Sequence, residues 1–203
     1  MMVVKVPKII QSFSPSLVWK KENSEKEIYL TFDDSPTPKF TLWILNLLSS
    51  LSIKATFFCI GEFAEKYPEI IDAILNNGHQ IGNHTYSHKN GLLSSNKTYL
   101  QDIDRCKNIL PNTNLFRPPF GKMYPWQIRK IKEKYKIIMW DVLSYDFTKN
   151  ISSNKLKENI LKNTKSGSII VFHDNKKSEK ILKENLEEIL KTLLKREFKF
   201  GFI

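Results

Sequence analysis

Two histidines four residues apart, His84 and His88 in His-Thr-Tyr-Ser-His, are the side chains of this sequence best suited to hold a metal ion. On a helical turn that spacing sets both imidazoles on one face. The helical zinc motif uses the same spacing, but its Glu is absent here. Two histidines need a third ligand, and Asp34 can supply it. Two His and one carboxylate leave a coordination position open on Zn2+, which is the pattern of a catalytic centre. Asp33 adjoins Asp34. Neighbouring carboxylates on a regular strand point to opposite faces. At a strand end the backbone can turn, so that one reaches the metal and the other a water molecule. Read alone, Asp33-Asp34-Ser35-Pro36 is a turn sequence, and a lone pair of spaced histidines is a weak signal.

These residues must be positioned by something, and the chain alternates in a way that does so. Apolar, β-branched or aromatic runs at 28–32, 55–60, 79–82, 114–116, 136–142, 168–172 and 198–203 read as strands. Segments at 41–51, 69–75, 100–110, 125–134, 156–163 and 179–196 carry helical periodicity. Strands alternating with helices imply a mainly parallel sheet with helices on its faces. Asp33–Asp34, His84, Arg117, Asp146 and His173–Asp174 all follow strand runs. In parallel α/β barrels the catalytic groups gather at the carboxyl ends of strands. Seven strand candidates fall short of a full eight-unit barrel of about 250 residues. The expected fold is α/β: a distorted, incomplete (β/α) barrel of about seven βα units, TIM-like. An open doubly wound sheet is the alternative. No glycine-rich phosphate loop follows a strand, which counts against a nucleotide fold.

The 203 residues suit one catalytic domain, expected over 27–203, with 1–26 as an N-terminal segment packed on it. Hydrophobic residues at 41% and charged residues at 26% argue against a disordered chain. No apolar run approaches the roughly 18–20 residues of a transmembrane helix. The net charge is +11, but 28 of the 32 cations are Lys, spread along the chain and often beside Glu. That pattern reads as solvated helix faces, not as an Arg-rich nucleic-acid surface. Cys59 and Cys106 form neither a disulfide framework nor a zinc knuckle. The start of the sequence lacks a signal-peptide apolar stretch, so the cytoplasm is the expected address.

Taken in order, Thr31-Phe-Asp-Asp-Ser-Pro36, His84-Thr-Tyr-Ser-His88, Arg117-Pro-Pro-Phe-Gly121, Asp146–Phe147 and Val171-Phe-His173 resemble the motifs of the polysaccharide deacetylases. This is the NodB-homology domain of carbohydrate esterase family 4, and the resemblance runs from about residue 27 to the end. It implies that Asp34, His84 and His88 hold one divalent metal, usually zinc, with cobalt or another divalent ion in some relatives. It implies that Asp33 is the general base, paired with Arg117, and that His173 is the general acid, oriented by Asp146. The backbone N–H of Phe120 would help hold the oxyanion, and Phe147 and Val171 would line the pocket for the acetyl methyl group. The physics suits these roles. A cation beside a carboxylate keeps it ionised, and a carboxylate beside a histidine favours its protonated form.

The sequence departs from the family pattern in places. Ser35 stands where Gly usually follows the Asp pair, and Phe120 where Tyr is frequent. The fourth motif, two Asp three apart followed by Trp, reads Leu143-Ser-Tyr-Asp146-Phe147, so Asp141 is an alternative partner for His173. Val171 for Leu is conservative. Outside the motifs, His79 reads as a hydrogen-bonded strand-start histidine, Trp140 as core, and Trp19 and Trp43 as packing residues. Asp174 reads as a turn cap. Tyr124 and Trp126 suit either helix-start packing or stacking on a sugar ring.

The expected function is metal-dependent hydrolysis of the N-acetyl amide of an amino-sugar glycan or oligosaccharide, peptidoglycan- or chitin-type, to free amine and acetate. No nucleic-acid partner is expected. The alternatives are a hydrolase of another non-peptide C–N bond on the same fold, and a non-catalytic glycan-binding domain.

Overall fold

The computed structural model describes residues 4–7, 9, 11, 15–22, 25–110 and 112–203. Strands β1 (Glu27–Ser35), β2 (Thr56–Cys59), β3 (Gln80–Asn83), β4 (Leu115–Phe116), β5 (Lys136–Ile137), β6 (Val142–Leu143) and β7 (Ile169–His173) form one sheet. Their order is β5-β4-β3-β2-β1-β7-β6. Each neighbouring pair is parallel. A last short strand, β8 (Lys199–Phe200), runs parallel to the first two residues of β1. Helices α1 (Phe40–Ser50), α2 (Gly61–Lys66), α3 (Pro68–Asn76), α4 (Asn96–Ile109), α5 (Pro125–Ile131), α6 (Ser153–Leu161) and α7 (Lys176–Lys195) lie between the strands in sequence. The result is a curled half-barrel.

The period-two alternation of strand side chains decides what faces where. In β1, Ile28, Leu30 and Phe32 join the large outer core, together with Ile44 and Leu48 of α1 and Leu186 and Leu190 of α7. Phe32 stacks between Phe57 and Phe172, at centroid distances of 5.1 and 5.9 Å. Burying such a ring stabilises the fold by roughly 1.5–3 kcal/mol. The intervening residues Tyr29, Thr31 and Asp33 belong to the other face. There Tyr29 meets Phe58, Leu115, Ile138 and Ile169 in a smaller cluster. The inner face of β7 carries Ile169, Val171 and His173 in the same way. Gly82 fits this inner packing because a Cβ there would come within 2.5 Å of the Phe58 ring.

Three features differ from the sequence reading. The run at 136–142 is not one strand. It breaks into β5 and β6, which stand at opposite ends of the sheet. Among the described residues no ladder joins these two ends, and Arg117 fills the gap. Its Nε and Nη2 donate to the carbonyls of Ile138 (3.2 Å) and Met139 (2.8 Å) in the connecting segment. Second, α2 was not expected. It is a six-residue helix opened without a side-chain cap, so the usual start signal is missing. Third, α4 begins four residues before the predicted start at 100, because the Ser95 hydroxyl accepts from the Thr98 N–H at 3.2 Å. The N-terminal residues also help at the open side of the sheet. Val18 pairs with Ile138, Lys5 with Val142 and Lys20 with Ser168.

Candidate active site

The strand ends surround a cavity of about 360 Å³ lined by Asp33, Asp34, His84, His88, His173 and Phe120, among others. Asp33 and Asp34 both reach it because β1 does not end as a regular strand. Its register to β2 shifts between Asp33 and Ser35, and Asp34 has φ 70°. A bulge of this kind re-aims a side chain. The residue in the left-handed region is therefore Asp34 itself, one position before Ser35. Asp can adopt this conformation more readily than most residues.

His84 and His88 are also brought together without a helix. The segment after β3 is a loop, in which Thr85 (φ 63°) and His88 (φ 53°) are left-handed. The two rings end 5.1 Å apart. Asp102 on α4 braces this loop: its carboxylate accepts from the N–H groups of Tyr86 and Ser87, each at 2.9 Å, and from the Ser87 hydroxyl at 2.9 Å. The sequence reading missed Asp102. It lies on a different element from the histidines, and only the tertiary fold relates them.

Asp34, His84 and His88 each offer one ligand atom, and all of these lie within 4.8 Å of one another. Asp34 Oδ1 is 3.6 Å from His84 Nε2 and 3.2 Å from His88 Nε2. The donor chemistry suits a cation in three ways. Asp34 Oδ2 is already engaged by Asn175 Nδ2 at 2.7 Å, whereas the buried Oδ1 has no hydrogen-bond donor. His84 Nδ1 lies 2.8 Å from the Arg117 carbonyl, to which only an N–H can donate, so Nε2 keeps its lone pair. Burial holds His84 down to about 4, further favouring the neutral ring. Burial also opposes the charge of Asp34, but His88, 3.2 Å away, and the other neighbouring histidines, His84 and His173, hold its carboxyl below the usual carboxylate range. Asn175, like Asp102, escaped the sequence reading. It both caps α7, accepting from Lys177 and Ser178 N–H groups, and steadies Asp34.

Asp33 is 5% exposed and pairs with a fully buried Arg117, whose Nη1 donates to Asp33 Oδ1 at 2.7 Å. The same nitrogen donates to Thr31 Oγ at 2.8 Å. The guanidinium lies over the Phe58 ring, 4.1 Å from its centroid. Arg117 thus serves the base by its side chain and His84 by its carbonyl.

On the far wall, His173 stands beside Asp33 in the β1–β7 register. Its Nδ1 lies 2.8 Å from Asp146 Oδ1, and its backbone N–H donates to Asp146 Oδ2 at 2.7 Å. Burial works against a charged His173. The Asp146 charge and hydrogen bond outweigh it, helped by Asp33 and Asp34, and raise the imidazole to about 9. Asp141, the alternative partner, is turned elsewhere: it accepts from Ser168 Oγ at 2.6 Å and faces Lys5.

Phe120 is left-handed (φ 61°) and its ring lies 4.7 Å from that of His88. Phe147 packs edge-on against His173 at 4.6 Å. Together with Val171, Leu143 and Trp140 it gives the cavity an apolar side. Trp140, expected in the core, is partly buried against two core clusters and also forms part of the cavity wall. Asp174 is not the cap of the following turn. It is fully buried, accepts from Thr41 Oγ of α1 at 2.5 Å, and is pushed up to about 7 by burial. His79 accepts from the Ala55 N–H at 3.2 Å, away from the cavity. Tyr124 and Trp126 stack on each other at 4.4 Å where α5 begins.

A family model described as polysaccharide deacetylase matches residues 20–140. The chain belongs to the polysaccharide deacetylase family. This is a family of hydrolases that act on a non-peptide carbon–nitrogen bond. Among its curated members, a peptidoglycan-N-acetylglucosamine deacetylase of Bacillus cereus is 38% identical over 74% of this chain and 56% of its own length. A second B. cereus protein of that name is 32% identical over 91% of this chain and 89% of its own. A chitooligosaccharide deacetylase of Azorhizobium caulinodans is 34% identical over 74% of this chain and 75% of its own. The chain thus spans little more than half of the first of these relatives. Among solved structures, the Bc1960 peptidoglycan N-acetylglucosamine deacetylase superposes with a TM-score of 0.89 at 31% identity, covering 98% of this chain and 95% of the other. Among the described residues, no helix of this family member is long and apolar enough to cross a membrane.

Proposed function

We propose that this chain hydrolyses the N-acetyl amide of an amino-sugar glycan or oligosaccharide, releasing acetate and a free amine, and that it needs a divalent metal, zinc first among the candidates. The observation that carries this reading is the convergence on one cavity of a three-residue cation site, an Arg-paired carboxylate and a carboxylate-paired histidine. The likeness to deacetylases of peptidoglycan and chitooligosaccharides supports the same substrate class.

Asp34, His84 and His88 would hold the ion. The chemistry such an ion supplies when bound is polarisation of the acetyl carbonyl and acidification of a water. Asp33 takes the proton of the attacking water. Arg117 occupies its Oδ1, so Oδ2 is the oxygen left for that transfer. His173 gives a proton to the departing amine from Nε2, because Nδ1 is committed to Asp146. The Phe120 N–H would stabilise the oxyanion, as donors of this kind do in acyl transfer. Phe147 and Val171 receive the acetyl methyl group and exclude water from it.

The test is acetate release from a panel of N-acetylated glycans, with and without a chelator. Release that stops with chelator and returns with zinc is expected. No release from any member, with zinc present, would transfer the reading to another C–N bond or to glycan binding without turnover.

A further inference from the structure

A second cavity of about 430 Å³ adjoins the first, and Lys177 lines both. One wall of the second cavity is a face of α7, where Lys177, Lys180 and Glu184 follow one another at helical spacing. The opposite side is the loop before α6, which contributes Lys149.

The lysines here differ from others on the neighbouring helices. Lys183 and Lys191 on α7 pair with Glu179 and Glu187, each at 2.6 Å, and Lys157 of α6 pairs with Glu188 at 2.5 Å. Lys149, Lys177 and Lys180 make no ion pair or side-chain hydrogen bond among the described residues. The acidic groups in the same cavity do not neutralise them. Asp146 is 1% exposed and committed to His173 and Ser144, which leaves Glu184 alone against three ammonium groups. Exposed unpaired lysines are ordinary singly, but three lining one groove repel one another and concentrate anions. Lys177, which lines both, stands between this groove and the reaction cavity.

We propose that this groove is a subsite for an anionic substituent, a carboxylate or a phosphate, on a sugar flanking the one that loses its acetyl group. The proposal rests on the deacetylase reading above. It gives part of the chain's positive charge a role in choosing the substrate, through Lys149, Lys177 and Lys180.

The test uses three oligomers of N-acetylglucosamine that differ only at C6: unmodified, oxidised to the carboxylate, and phosphorylated. The wild type is expected to show higher kcat/KM on an anionic oligomer than on the neutral one at low salt, with the advantage shrinking at 0.5 M salt. In the double variant K149Q/K180Q that advantage should fall by about 5- to 20-fold, since each exposed charge contact contributes up to about fivefold. The neutral oligomer should change less than about twofold. Whichever anionic arm responds identifies the anion. Equal rates on all three oligomers, or an equal loss on all three in the variant, would overturn the proposal. If none releases acetate, the deacetylase reading falls, and calorimetric binding of the same oligomers decides the subsite. Tighter binding of an anionic oligomer, lost in K149Q/K180Q, supports it, and equal binding rejects it.

Discussion

Replacing Asp146 with Asn tests how the proposed acid is kept charged. Asn keeps the shape but only one acceptor oxygen for the two His173 N–H groups that Oδ1 and Oδ2 of Asp146 serve, and it removes the charge 2.8 Å from Nδ1. Burial, the force already opposing the imidazolium, then faces only the more distant Asp33 and Asp34. His173 should fall from about 9 towards its ordinary 6.5. At pH 8 the protonated fraction drops from about 90% to about 3%, so kcat/KM should fall about 30-fold from protonation alone. The alkaline limb of the profile should move down by about 2.5 pH units. Stability should change as well. A histidine raised on folding contributes stability that is fully present below its unfolded value of 6.5 and is lost as pH rises through about 9. The full contribution is roughly 3 kcal/mol, and Asp146→Asn should remove most of it below pH 6.5 and little above pH 9. The assay is kcat/KM for acetate release from a neutral N-acetylglucosamine oligomer between pH 5.5 and 10, with denaturant midpoints over the same range. An alkaline limb that stays near pH 9 in the variant would refute the reasoning.

Other perturbations separate the remaining parts of the site. Asp33→Asn should lower kcat by about 10²–10⁴-fold, the range for a general base, while zinc content measured on the purified variant stays unchanged. Arg117→Met should destabilise the fold by about 3–5 kcal/mol, because it strands a buried carboxylate and two carbonyls across the β5–β6 gap, and thermal melting should report this directly. Asp102→Ala should cost about 1–3 kcal/mol by taking the carboxylate acceptor from the Ser87 N–H and hydroxyl and leaving the Tyr86 N–H only the residue 102 carbonyl. It should also weaken zinc binding in a competition titration although it touches no ligand.

Much of this arrangement was legible in the sequence, because strand ends follow apolar runs and the reactive residues stand just past them. Asp33, His84, Arg117 and His173 needed only that rule. What escaped was set by longer-range geometry. The run at 136–142 is unbroken apolar from Ile137 to Trp140, so its pattern could not show that the sheet opens there. His84 and His88 fit a helical spacing, yet the loop delivers them through two left-handed residues that neither Thr nor His advertises. Asp102 sits on α4 and Asn175 at the start of α7, away in sequence from the groups they steady, and their types suit an ordinary helix surface or cap. The choice between Asp141 and Asp146 likewise needed three dimensions, since Ser168 claims the first.

Asp33 and His173 occupy matching positions on adjacent parallel strands. Adjacent strands are held about 4.8 Å apart by backbone hydrogen bonds. The spacing of the two backbone positions that carry the proton acceptor and the proton donor is therefore a dimension of the main chain, insensitive to which side chains decorate the rim. Directed evolution of the surrounding loops should be able to exchange one sugar for another while these two strand positions keep their spacing.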